Sequence, residues 1–78
     1  MKEQKIKQDT IAIGQNVKRV RLKRRMKQVE LVKELRLRGV DITWEPLVKI
    51  ERGKQHIYAS QCKAIKESLD TTFDGLLR

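Results

Sequence analysis

The stretch Gln28-Val29-Glu30-Leu31-Val32-Lys33-Glu34-Leu35-Arg36-Leu37-Arg38-Gly39-Val40-Asp41-Ile42-Thr43-Trp44-Glu45-Pro46-Leu47-Val48-Lys49-Ile50-Glu51-Arg52-Gly53 divides into two apolar-periodic runs, each closed by a glycine. In the first, Leu31, Val32 and Leu35 share one face of a 3.6-residue helix and Gly39 supplies a left-handed stop, so a helix is expected over about 28–38. Val40-Asp41-Ile42 then forms a connector. In the second run Leu47 and Ile50 recur at i, i+3 behind Thr43, a residue type well suited to N-capping, and Gly53 ends the helix. Pro46 leaves two starts open. Either Thr43 caps and Pro46 sits inside the first turn, or regular helix begins at Pro46 itself, since proline restrains the residue before it and prefers the first helical position. Both readings put Trp44 and Glu45 at the tip of a helix over about 43–52.

Toward the N-terminus, Ile13, Val17 and Val20 recur at i, i+4 and i+7 and predict a helix over about 12–24, with Thr10 available as its cap. Residues 1–9 are polar with only Ile6 apolar, and read as a tail outside a domain spanning 10–78. Toward the C-terminus, a Lys54-Gln55-His56-Ile57 link leads to Cys62, Ile65 and Leu69, which mark a fourth helix over about 59–69. Thr72 then caps a short turn carrying Phe73, Leu76 and Leu77. The expected fold class is all-α, a compact bundle of about five short helices. Such helices are stable only if their apolar stripes meet in one core. Val17, Val20, Met26, Leu31, Val32, Leu35, Leu47, Ile50, Ile65, Leu69 and Phe73 are expected to form it.

The chain has 78 residues, 19 Lys+Arg against 10 Asp+Glu, a formal charge of +9 and one Cys. This length suits one small domain. Such a domain buries about 60% of its unfolded surface, which leaves little interior for a deep substrate pocket. A binding module is favoured over an enzyme. No Gly-rich phosphate loop, metal-ligand cluster or nucleophile–base pair is spaced for chemistry, so neither a cofactor nor a metal is expected. The longest apolar stretch, Ile11-Ala12-Ile13, is far short of the roughly 20 residues a membrane span needs. With no secretory signal and a single Cys, a reducing cytoplasm is expected.

The charge is unevenly placed: 13 basic and 4 acidic residues precede Asp41, and six of each follow from there. Its densest piece, Lys18-Arg19-Val20-Arg21-Leu22-Lys23-Arg24-Arg25-Met26-Lys27, cannot fit on one helical face. Some of these cations must point at a partner or at water. Phosphates are one candidate partner, because neutralising them releases condensed counterions. A solvated helix and turn is the plain alternative, and basic amphipathic segments also suit membrane surfaces or calmodulin-like partners. An aromatic content of 4% weighs against membrane insertion.

Several pieces, in this order, resemble the XRE or lambda-repressor-like helix-turn-helix family: Ile13-Gly14-x-x-Val17-Lys18-x-x-Arg21, Met26-x-Gln28-x-x-Leu31-Val32, Leu47-Val48-Lys49-Ile50-Glu51-Arg52-Gly53-Lys54, and Lys63-Ala64-Ile65-Lys66 through Leu69 to Phe73-Asp74-Gly75-Leu76-Leu77. The resemblance implies a lambda-repressor-like DNA-binding domain. In such a motif the second helix of the pair enters the major groove and the preceding helix crosses the backbone. It further implies that Thr43, Trp44, Glu45 and Lys49 face bases. Lys49 can donate to guanine, Glu45 can accept from a cytosine amino group, and the Trp44 ring can pack on a thymine methyl. Gln28 matches a phosphate-gripping position, and Lys27, Lys54, Gln55 and His56 fall where neighbouring phosphates would lie. Arg21 and Glu51 match a largely buried ion pair between helices one and three.

Each assignment has a plainer rival. Trp44 could cover the connector as core, Glu45 could merely complement the helix dipole, and Lys49 and Lys54 could be surface lysines. His56 lacks partners for a metal site, and Cys62 reads as a small core residue. The passage from Arg36 to Ile42 is longer than the tight Gly-containing turn usual in the family. Tyr58 stands where Ser or Thr often caps, and Gly75 weakens the last helix. The resulting expectation is a sequence-specific regulator of double-stranded DNA, a repressor acting as a homodimer, with no membrane and no small-molecule substrate. The alternative is an antitoxin or restriction-modification controller whose main partner is another protein.

Overall fold

The computed structural model describes residues 5–6 and 12–77. Five helices dominate: α1 (Ile13–Lys23), α2 (Gln28–Leu37), α3 (Trp44–Glu51), α4 (Ala59–Ser68) and α5 (Phe73–Leu77). Each lies within about a residue of its expected bounds. The remaining elements are a two-residue pair, β1 (Lys5–Ile6) and β2 (Ile57–Tyr58), running antiparallel with Lys5 opposite Tyr58 and Ile6 opposite Ile57. This corrects the reading of residues 1–9 as a tail apart from the domain, because Lys5 and Ile6 are part of the fold. The other tail residues and the Thr10 cap lie outside the described residues. Ala12 occupies the N-cap position of α1, with no side-chain bond.

The helices end in one recurrent way. After α1, Met26 N donates to Arg21 O and Arg25 N to Leu22 O; after α3, Lys54 N donates to Lys49 O and Gly53 N to Ile50 O. The same paired bonds close α2 through Gly39 and Val40, and α4 through Asp70 and Thr71. These paired backbone bonds require a residue with positive φ just past the helix. Gly39 (φ +87°) and Gly53 (φ +72°) adopt it without strain, whereas Arg25 (φ +58°) and Asp70 (φ +51°) carry a Cβ there.

At the start of α3, Thr43 is the N-cap, so Pro46 falls within the first turn. That position costs no hydrogen bond, since the first four helical N–H groups have no intrahelical acceptor. The long passage before it is pinned by Ile42, which is buried and donates its N–H to Val40 O.

The core holds Val17, Val20, Leu31, Leu35, Leu47, Ile50, Ile65 and Leu69 from the expected set, with Cys62 among them. Ile13, Ile42, Ile57, Ala64 and Leu76 join them. Met26 and Val32 only pack against the core's edge, which corrects their placement inside it, and the Phe73 side chain lies outside what the structure describes. Thr72 caps α5 as expected, its hydroxyl accepting from Gly75 N. At Tyr58 the cap works from the other side, with Gln61 Oε1 accepting from the Tyr58 N–H. Among the described residues no helix is long and apolar enough to cross a membrane.

Candidate nucleic-acid interface

Helix α3 turns two different faces to its surroundings. Leu47, Ile50 and Glu51 are buried, and their i, i+3, i+4 spacing fixes which side points inward. Thr43, Trp44, Glu45, Lys49 and Arg52 are exposed in consequence, with Val48 half-buried between them. Trp44 is 53% exposed, which overturns the reading of it as a core cover. Thr43 makes no side-chain bond to its helix.

Behind that face the side chains are locked. Arg21 Nε donates to Glu51 Oε2 at 2.8 Å, Arg21 Nη2 to Glu51 Oε1 at 3.0 Å, and Arg21 Nη1 to Met26 O at 2.8 Å. The two side chains are 7% and 2% exposed. The expected pair therefore exists in bidentate form, tying α1 to α3 and to the turn before α2. Water is excluded and each charge has its partner, so losing either would strand the other.

The network continues outward. Gln28 Nε2 donates to Glu51 Oε1 at 3.0 Å, and Trp44 Nε1 donates to Gln28 Oε1 at 3.1 Å. An indole N–H only donates and a carboxylate only accepts, so these neighbours dictate which way round the Gln28 amide sits. One amide hydrogen remains for an outside acceptor such as a phosphate oxygen. The Trp44 N–H is engaged, so the ring is the part of this exposed side chain left to an outside partner.

Lys49 Nζ lies 3.8 Å from Glu45 Oε1, one helical turn away, and both are exposed. An exposed i, i+4 pair of this kind contributes about 0.3–0.5 kcal/mol, little enough for an outside partner to displace. Lys18 and Arg52, which the sequence reading did not single out, complete a notch of about 150 Å³ with Gln28, Trp44, Val48 and Glu51. A signal for Lys18 was present: it lies three residues before Arg21, on the side of α1 that reaches α3.

Among the expected phosphate contacts, Lys27 and Lys54 are exposed at the start of α2 and just past α3. The Lys27 backbone N–H donates to Glu30 Oε1, which holds the α2 entry. Gln55 is half-buried and His56 exposed, each already engaged within the chain. With Lys54 and Tyr58 they line a cleft of their own beside β2.

The dense basic run does not face one way. Arg21 is buried, Arg24 donates to Leu69 O and Asp70 O, and Arg19 donates to Gly75 O. Lys18, Lys23, Arg25 and Lys27 are exposed. Fastening to helix ends is a use for clustered arginines beyond facing a partner or water.

Comparison of the chain with protein-family models, with curated proteins and with solved structures finds no match in any of the three.

Proposed function

We propose that the chain is a sequence-specific double-stranded DNA-binding regulator of the helix-turn-helix type, acting as a repressor in the cytoplasm, with α3 as its major-groove element. The observation that carries this reading is the two-faced character of α3. Its leading turn, Thr43 to Glu45, stands in solvent with Lys49 on the next turn, while its rear is held by a buried bidentate ion pair. A reading element needs both properties: reach into the groove, and a rigid seat that fixes which side chain meets which base.

In this reading Lys49 leaves Glu45 and donates to guanine O6 or N7, Glu45 accepts from a cytosine amino group, and the Trp44 ring covers a thymine methyl with Thr43 beside it. Gln28, its amide held by Trp44 and Glu51, donates to a phosphate. Lys27, Lys54, Gln55 and His56 extend the backbone contact on either side. Two copies on half-sites about one helical turn apart would give a pseudo-palindromic operator.

Duplex binding measured over a range of salt concentrations tests the reading. Log affinity should fall linearly with log salt, with a slope of about −0.9 for each phosphate neutralised. A flat plot would rule out a phosphate-tracking interface.

The alternative, a module whose main partner is a protein, draws on one observation. Val29 and Leu37 are 60% and 72% exposed on α2, around a shallow apolar surface shared with Val32, Lys33 and Arg36. Under that reading Val29→Ser with Leu37→Ser would weaken the protein complex and leave duplex affinity intact.

A further inference from the structure

α1 meets α3 and α5 with different cations. Lys18 lines the notch against α3, whereas Arg19 and Lys23, one turn apart, line a groove of about 370 Å³ with Val20, Arg24, Thr71 and Gly75. The two sites share none of the described residues. We infer that the groove is a second oxyanion site, one that takes a phosphate or pyrophosphate group.

Among its six described lining residues three are cationic and none is acidic. Both guanidinia are held in place by backbone carbonyls. Arg24 Nε donates to Leu69 O at 3.0 Å and Nη2 to Asp70 O at 2.7 Å, and Arg19 Nη2 donates to Gly75 O at 3.3 Å. A guanidinium has five N–H donors, so these bonds leave three on Arg24 and four on Arg19. Anchored forks of this kind match the planar, bidentate demand of phosphate and lose less freedom on binding than free side chains would.

The carbonyl ends of α4 and α5 also lie here, and their partial negative charge opposes an anion. Each end is worth about half a charge at most, so two ends against three full cations leave the groove positive. Among the described residues Lys23 fastens no helix end, and Thr71 places a hydroxyl on the same wall. Arg19 and Arg24 would have served as helix-end fasteners without Lys23. Its position one turn from Arg19 turns a pair of caps into a three-cation seat.

The test uses the full chain and sodium pyrophosphate as probe, at constant ionic strength, followed by two-dimensional amide NMR. Saturable shifts are expected at the amides of Lys23, Arg24, Thr71 and Gly75. In the double variant Arg19→Gln, Lys23→Gln binding should be roughly tenfold weaker, since two charge-bearing donors are gone. Both positions are exposed, and the variant's own spectrum reports whether it remains folded. Shifts spread evenly over the basic surface, or groove shifts that the double variant leaves unchanged, would overturn the site.

The same variant identifies where the phosphate comes from. A salt slope for duplex binding smaller by about two assigns the groove to nucleic-acid backbone. An unchanged slope together with lost pyrophosphate binding assigns it to free phosphate compounds. A chain that saturates with pyrophosphate but binds no duplex would defeat the DNA reading of α3 and leave the groove standing.

Discussion

The inner and outer faces of α3 obey opposite rules. Inside, Glu51 has both carboxylate oxygens occupied by Arg21 and Gln28 and almost no contact with water. Outside, Glu45 carries the same functional group in solvent, loosely paired with Lys49 at 3.8 Å. One carboxylate is committed to the fold and the other is available to a ligand, and the difference is burial rather than residue type. Variants on the two faces should therefore separate cleanly, those inside moving stability and those outside moving binding.

The largest effect is expected inside. Glu51→Ala should lower unfolding stability by about 3–5 kcal/mol, because the Arg21 guanidinium is left buried without its counter-charge. Denaturant titration checks this, and a loss no larger than that of an exposed alanine control would refute the pairing. Replacing both partners, Arg21→Met with Glu51→Leu, should cost much less than either single loss, since no charge is then stranded.

Outside, Lys49→Ala should leave the denaturation midpoint nearly unchanged while weakening the best duplex site by about 1–3 kcal/mol. Matched denaturation and binding curves read both quantities at once.

Trp44 lies on the border between the faces. Trp44→Phe keeps an aromatic ring and removes the N–H that holds Gln28, so stability should fall by about 0.5–1.5 kcal/mol and duplex affinity with it. If affinity holds while stability falls, the bond to Gln28 matters to the fold and not to the interface.

A smaller effect tests the frame that carries both faces. Arg25 holds a positive φ that glycine adopts freely, so Arg25→Gly should raise stability by up to about 1 kcal/mol at the end of α1, partly offset by the extra freedom of glycine in the unfolded chain. Thermal unfolding would register the rise.

Cys62 gives a chemical check on the interior. Burial pushes its thiol up from the ordinary range, against a partial opposing pull from Lys66. Because the folded value is the higher one, the stability this adds is complete below the ordinary thiol range and is lost as pH rises through the raised value. Alkylation of the folded protein at neutral pH should be slow and should quicken on unfolding.

What the sequence disclosed follows from the physics of each signal. Helix bounds and most core positions were legible, because Ile13, Val17, Val20, Leu31, Leu35, Leu47 and Ile50 repeat at helical spacing, and Gly39 and Gly53 mark the stops. Ile42 is buried from a connector and Ile57 from a two-residue strand, and neither segment is long enough to show a period that would reveal them. The pairing of Lys5–Ile6 with Ile57–Tyr58 joins segments too short to carry an alternating pattern. In the candidate site, Arg21 and Glu51 were expected only through the resemblance, and the structure supplies their geometry. The ties of Arg19 and Arg24 were hidden, since their acceptors are backbone carbonyls more than 40 residues away that no side chain advertises.

Whether the leading turn of α3 meets bases is decided by parallel selection of bound sites from a random duplex pool, by the native chain and by Lys49→Ala. The native chain should yield one pseudo-palindromic consensus, and the variant the same consensus with preference relaxed at a single base position in each half. No consensus from the native chain, or identical preferences from both proteins, would contradict it.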